Sequence, residues 1–137
     1  MKKMLVYIVT VFAIASITAF FVAFASGDDT KNIEFLESYR WEVETPYIEK
    51  EEVQIPEEFD DVYNNYNELQ RQAGLDLLPY KGKKAVRYTY IVTNYPKQVN
   101  EPVRANVLCV GNEPVAGDIM TVSISGFMHS LRFEDAR

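Results

Sequence analysis

One cysteine, Cys109, and one histidine, His129, stand among the 137 residues. Zinc-type sites take three or four Cys, His or acidic ligands, so chelation by sulfur and imidazole is excluded, and no intrachain disulfide can form. Gly-rich phosphate loops, an ordered Ca2+ loop and a Gly-x-Ser-x-Gly elbow are all missing, which leaves nucleotide binding and elbow-type hydrolysis without a motif. Positive charge is scarce too. Fourteen Lys and Arg against 20 Asp and Glu give a net charge of −6, which argues against a nucleic-acid partner, because phosphate binding needs a basic face. With six Gly and six Pro the chain is neither collagen-like nor low-complexity. No cofactor is implied.

What the sequence does have is one long apolar run. Met4 to Ala25 is 22 residues without a charge, preceded by Lys2 and Lys3 and followed by Asp28 and Asp29. At about 1.5 Å per residue it is long enough for a hydrocarbon core of roughly 30 Å, and the lysines hold the N-terminal end in the cytoplasm. A cleaved signal peptide is the rival reading, since Ala23-Phe24-Ala25 fits the small-x-small cleavage pattern. The run exceeds the usual signal core, which favours an uncleaved anchor. The expected organisation is therefore a signal anchor or transmembrane segment over residues 1–26 and one extracytoplasmic domain over 27–137, at the cell membrane, with secretion after Ala25 as the alternative.

The exported part reads as α+β: the N-terminal transmembrane or signal helix, then a small antiparallel sheet of about three to four strands packed on one face by two helices. A short helix is expected from Thr30 to about Arg40, with Ile33, Leu36 and Tyr39 on its apolar side. Trp41 to Ile55, interrupted by Pro46, reads as a broken edge strand. A clearer helix is expected from Pro56 to about Ala73, with acidic first turns, a continuous face from Phe59 through Tyr63 and Tyr66, and Gly74 as its stop. Ala85 to Tyr95 alternates with period two, carrying Val86, Tyr88, Tyr90 and Val92 on one side. Val103–Val110 and Val115–Ser123 form a hairpin around Gly111-Asn112, residues that tolerate positive φ. Counted from that turn, Val110 faces Glu113 and Ala105 faces Asp118. This register turns Asp118 toward the apolar face that should lie under the helices.

A carboxylate so placed needs a partner or takes up a proton. Arg87, Arg104 and His129 are the candidates to pair with Asp118 and form a polar binding pocket. The rival is a bulge at Gly117, or a strand end there, that turns Asp118 to solvent or onto backbone N–H groups. His129 is the one candidate general base, near Ser123, Ser125 and Ser130, yet a lone His beside Phe127, Met128 and Leu131 reads first as a packed residue. Cys109, inside an apolar run, reads as a small buried hydrophobe. Glu57, Glu58, Asp60 and Asp61 suit a helix N-terminus better than a cation site, and Tyr63, Tyr66, Tyr88 and Tyr90 suit a core better than a sugar platform. No catalytic or metal-ligating residue is assigned. Charge is uneven: 14 acidic against three basic residues lie between Asp28 and Leu69, six against nine from Gln70 on.

Several strings carry a resemblance. Ile55-Pro56-Glu57-Glu58-Phe59, Tyr66-Asn67-Glu68-Leu69-Gln70, Pro79-Tyr80-Lys81-Gly82-Lys83, Arg87-Tyr88-Thr89-Tyr90, Val103-Arg104-Ala105-Asn106 and Gly126-Phe127-Met128-His129 together resemble a family of small exported Gram-positive bacterial proteins, the domain of unknown function 4830. The resemblance runs from about Phe35 to Leu131. It implies a bacterial cell-envelope setting and no residue roles. The expected function is a noncatalytic binding or regulatory module, with the membrane and an envelope protein or ligand as partners; the alternative is a small envelope hydrolase or metal-dependent enzyme using Asp118 and His129.

Overall fold

The computed structural model describes residues 28–136, so the anchor or signal expected over residues 1–26 lies outside the described residues. Among the described residues no helix is long and apolar enough to cross a membrane. The described part is α+β. Helix α1 (Asp28–Ser38), strand β1 (Glu49–Gln54), helix α2 (Asp61–Gln72) and strands β2 (Lys84–Ile91), β3 (Arg104–Val110), β4 (Glu113–Met120) and β5 (Met128–His129) follow in that order. The five strands form one antiparallel sheet, β1-β2-β3-β4-β5.

Helix α1 closes where Arg40 takes a left-handed φ of 73° and the Trp41 N–H returns to the Leu36 carbonyl at 3.1 Å. Val43 then bridges Val92 before β1 begins, which is the broken edge ribbon expected for this stretch. Helix α2 starts five residues later than expected. The Asp60 side chain accepts the Tyr63 N–H at 2.8 Å and fixes the start there. Upstream, Ile55 and Pro56 are held by the connector, Gly82 donating to both carbonyls, so Pro56 cannot sit inside a helix. The stop is as expected: Gly74 has φ +79°, and Leu75 donates back to Gln70. Just beyond, Asn67 accepts from Leu77 N–H and donates to Asp76, which ties the turn onto the helix.

The hairpin turn holds, with φ 57° at Gly111 and 66° at Asn112, and so does the pairing of Val110 with Glu113. The register beyond it does not. Cys109 faces Pro114 but Leu108 faces Ala116, so β4 carries one extra residue at Val115. Because side chains alternate, this bulge sends every later residue to the other face. Ala105 faces Ile119, and Asp118 faces Asn106.

The bulge also explains why the two helices do not share a face. On one side Leu36 of α1 packs with Trp41, Tyr88, Tyr90, Val107 and Ile119. On the other, Phe59, Tyr63 and Tyr66 pack over Ala85, Leu108, Val115 and Ala116, an apolar floor completed by the bulge. Beyond the two residues of β5, the outer edge of β4 is covered by α2, whose Gln70 side chain accepts the Gly117 N–H at 2.9 Å. Gly117 is required by space. A Cβ there would lie 2.5 Å from the Asn106 carbonyl and 3.0 Å from Leu131. Gly117→Ala is expected to destabilise the domain by about 1–3 kcal/mol, read as a lowered urea midpoint; an unchanged midpoint would show that the close approach of β3 and β4 is not needed.

Candidate functional site

On the α2 face a row of polar side chains crosses the sheet: Glu49, Thr89, Asn106 and Asp118 are successive cross-strand neighbours. Thr89 Oγ1 donates to Asn106 Oδ1 at 2.6 Å, and Asn106 Nδ2 donates to Asp118 Oδ1 at 2.9 Å. From above, the Tyr66 hydroxyl of α2 donates to Asp118 Oδ2 at 2.6 Å. Asp118 is 2% exposed, so it is neither freed to solvent nor left unpaired. Burial pushes its carboxyl above the usual 3.8, against the hydrogen bonds from Tyr66 and Asn106 and the charges of Arg87 and His129, which pull it down. Burial likewise drives the Tyr66 phenol well above 10.0, with the neighbouring carboxylate adding to it.

The sequence-derived candidates are only partly brought together. Arg87 is on this face and its charge acts on both Asp118 and Tyr66, but its ion pair is with Glu51. Arg104 pairs with Glu49 at 3.1 Å, and its buried Nε has no hydrogen-bond partner. His129 is on the opposite face. It sits across from Ile119 in the ladder, stacked on Phe127 at 5.6 Å and beside Trp41 at 6.1 Å. Its Nδ1 donates to the Ser130 carbonyl at 2.7 Å, and its Nε2 meets the Tyr95 hydroxyl at 2.9 Å. An acid–base pair of Asp118 and His129 working on one substrate is therefore divided by the sheet. Ser130 is buried and bonded to Asp135, while Ser123 and Ser125 are on an exposed turn.

The other singled-out residues are structural. Tyr90 is buried and tied to α1, and Tyr88 is buried with its ring edge-on to Tyr47. The Tyr90 hydroxyl donates to Asp29 at 2.6 Å, Asn32 donates to that hydroxyl, and the Cys109 thiol donates to Asn32 Oδ1 at 3.1 Å. Among the described residues no three His, Cys, Asp or Glu side chains gather as a metal site. Sequence reasoning placed Tyr66 in the core and did not join it, Asn106 or Thr89 to Asp118. Asn106, alone and polar between Ala105 and Val107, is the signal that could have pointed to the row.

The family model described as domain of unknown function, DUF4830, matches residues 35–119, well over half of the chain. The chain belongs to this family. The DUF4830 match takes in Tyr66, Arg87, Thr89, Arg104, Asn106 and Asp118, and stops short of the segment that carries His129. No curated protein and no solved structure matches the chain.

Two outcomes test the network. Tyr66→Phe removes one of two donors to a buried carboxylate and is expected to cost about 1–3 kcal/mol in urea unfolding; a smaller loss would mean the bond contributes nothing net. For Asp118 the folded pKa is raised, so between the ordinary value and the raised one the folded state holds the extra proton. Stability from this group is full at low pH and falls as pH rises through that window. Asp118→Asn should lack the falling limb, so that the stability difference between variant and wild type shifts in the variant's favour as pH rises from about 3.8. Parallel curves would remove the carboxylate as its cause.

Proposed function

We propose that the chain is a noncatalytic, membrane-anchored extracytoplasmic module of a Gram-positive cell envelope that binds an envelope protein through its turn at residues 122–126. The observation that carries this reading is Ile124, 100% exposed on a turn that is nonetheless braced. Ser123 N–H donates to Glu101 at 3.2 Å, Thr121 Oγ1 accepts from Phe127 N–H, and Gly126 N–H closes onto the Ser123 carbonyl. The bond from Ser123 holds the Glu101 carboxyl below its ordinary value, consistent with a charged clamp. Val122 and Met128 beside it are 60% and 45% exposed. Apolar side chains carried on a turn whose backbone is already ordered lower the backbone entropy cost of docking into a partner's pocket.

The path of α1 supports the same reading. Lys31, in its first turns, pairs with Glu113 at the hairpin end of the sheet. Past its C-terminus, Arg40 pairs with Glu134, and Trp41 Nε1 donates to Leu131, at the other end. A chain that enters from a bilayer at the hairpin end thus turns residues 122–126 away from the lipid. The 22 uncharged residues behind Lys2 and Lys3 supply the anchor.

The test uses the full-length protein in its own membrane with a benzophenone side chain at position 124 and, as control, at exposed Val62 on α2. One discrete protein adduct is expected at position 124 and none at 62. The adduct should disappear in a Val122→Asp background whose unfolding free energy in urea stays within about 0.5 kcal/mol of wild type. Protease added to wall-stripped cells should digest the domain. Adducts to lipid alone, or a protected domain, would reject the proposal.

A further inference from the structure

At the opposite end of the molecule from that turn, a shallow pocket of about 140 Å3 opens on the α1 face. It lies where β1, β2 and the hairpin turn meet. Helix α1 packs over β3 and β4 and leaves this corner open. Its floor is apolar, formed by Val86, Tyr88 and Cys109, and its rim carries Glu52, Lys84 and Asn112. Glu52, Val86 and Cys109 are consecutive cross-strand neighbours, so they project to the same side; Lys84, two residues before Val86, shares that side.

Glu52 and Lys84 are therefore diagonal neighbours of opposite charge, the arrangement that normally closes into a cross-strand ion pair. They do not pair with each other or with any other described residue. Lys50, the other cation on this side of β1, is drawn over the Tyr88 ring, 5.4 Å from its centroid. One unpaired carboxylate and one unpaired ammonium thus flank an apolar floor. A cavity of about 150 Å3 holds a molecule the size of benzene, so the recess has room for one small side chain.

We infer that this pocket binds a small zwitterion, an α-amino acid with an apolar side chain, whose carboxylate meets Lys84, whose ammonium meets Glu52, and whose side chain lies on Val86 and Cys109. The inference does not rest on the docking role of residues 122–126. Each charge of the ligand meets an opposite charge at the rim, and a molecule bearing only one charge meets only one of the two. Since both charges are at the rim and the pocket is half open, the dissociation constant falls on the order of millimolar.

The experiment is an amide chemical-shift titration of the 15N-labelled full chain in nanodiscs with L-valine, and separately with acetate and with ethylammonium. Valine is expected to shift Val86, Gly111 and Asn112 saturably, and both single-charge probes to bind at least about tenfold more weakly. Glu52→Gln and Lys84→Gln should each weaken valine binding to a similar degree. The exchanged double variant, Glu52→Lys with Lys84→Glu, should bind again because the ligand can reverse its ends; a merely structural role for the two residues would not be rescued this way. Unchanged spectra beyond the affected amides check that each variant folds. Three results overturn the inference: no saturable shift at tens of millimolar valine, equal binding of acetate and valine, or valine binding that persists in both single variants.

Discussion

A carboxylate sealed inside a sheet face must be hydrogen-bonded, and the requirement of Asp118 orders much of this domain. Removing a charged group from water without partners costs several kcal/mol. Asn106 and Tyr66 are the partners, and each is reachable on one condition. Asn106 comes into register only if β4 slips by a residue at Val115. Tyr66 comes within 2.6 Å only if α2 lies over that face rather than beside α1. Had the hairpin run without its bulge, Asp118 would face Ala105 on the α1 side, among Tyr90 and Leu36 and away from Asn106 and Tyr66. The bulge, the separation of the helices and the polar row are thus one solution to one constraint. Gln70 adds to it by capping Gly117, the residue beside Asp118, from the same helix.

The opposite face shows how scarce reactive residues are used for packing. The single histidine is stacked among Trp41, Tyr95 and Phe127, with both ring nitrogens engaged. The single cysteine is buried against Asn32. Tyr90, whose phenol is held far above its ordinary value first by burial, links α1 to β2 through Asp29 and Asn32. On this face the histidine and the cysteine are thus held by ring stacking and hydrogen bonds within the fold.

Much of this was legible in the sequence, and the failures have physical reasons. Alternation along Val86, Tyr88, Tyr90 and Val92 identified a strand and its buried side, because burial on one face imposes period two. Gly111-Asn112 and Gly74 identified a turn and a helix stop, because positive φ restricts the residues allowed. The start of α2 was ambiguous: Pro56 and the acids after it suit a first helical turn, and only the tie between Ile55, Pro56 and Gly82, made by chain distant in sequence, rules that out. The register of β4 was degenerate in the same sense. Pro114, Val115, Ala116 and Gly117 are small or apolar and fit either face, so alternation is uninformative until Asp118 and Ile119, where the answer depends on α2. Side chains from four elements, β2, β3, β4 and α2, make the polar row of Thr89, Asn106, Asp118 and Tyr66, and no local pattern encodes their meeting.

The sheet edges narrow down where a partner can approach. An open edge invites strand addition unless it is covered or charged. On one side α2 covers β4. On the other, β1 is Glu49-Lys50-Glu51-Glu52-Val53-Gln54, and a second strand laid along it would bring its own side chains against three glutamates. Two of these are engaged inward, Glu51 with Arg87 and Glu49 with Arg104, which stiffens the edge without neutralising the third. Backbone pairing is thus disfavoured along β1 and along the part of β4 that α2 covers, β5 offers only two residues of edge, and the faces are occupied by helices and half-buried ion pairs. The remaining accessible places are the two ends of the sheet. One end offers protruding apolar side chains without a pocket, the other a small pocket with unmatched charges. Convex apolar groups suit the concave surface of a macromolecule, whereas a 140 Å3 recess suits only a small molecule. The proposed division of the surface into a docking end and a small-ligand end follows from how the fold disposes of its edges.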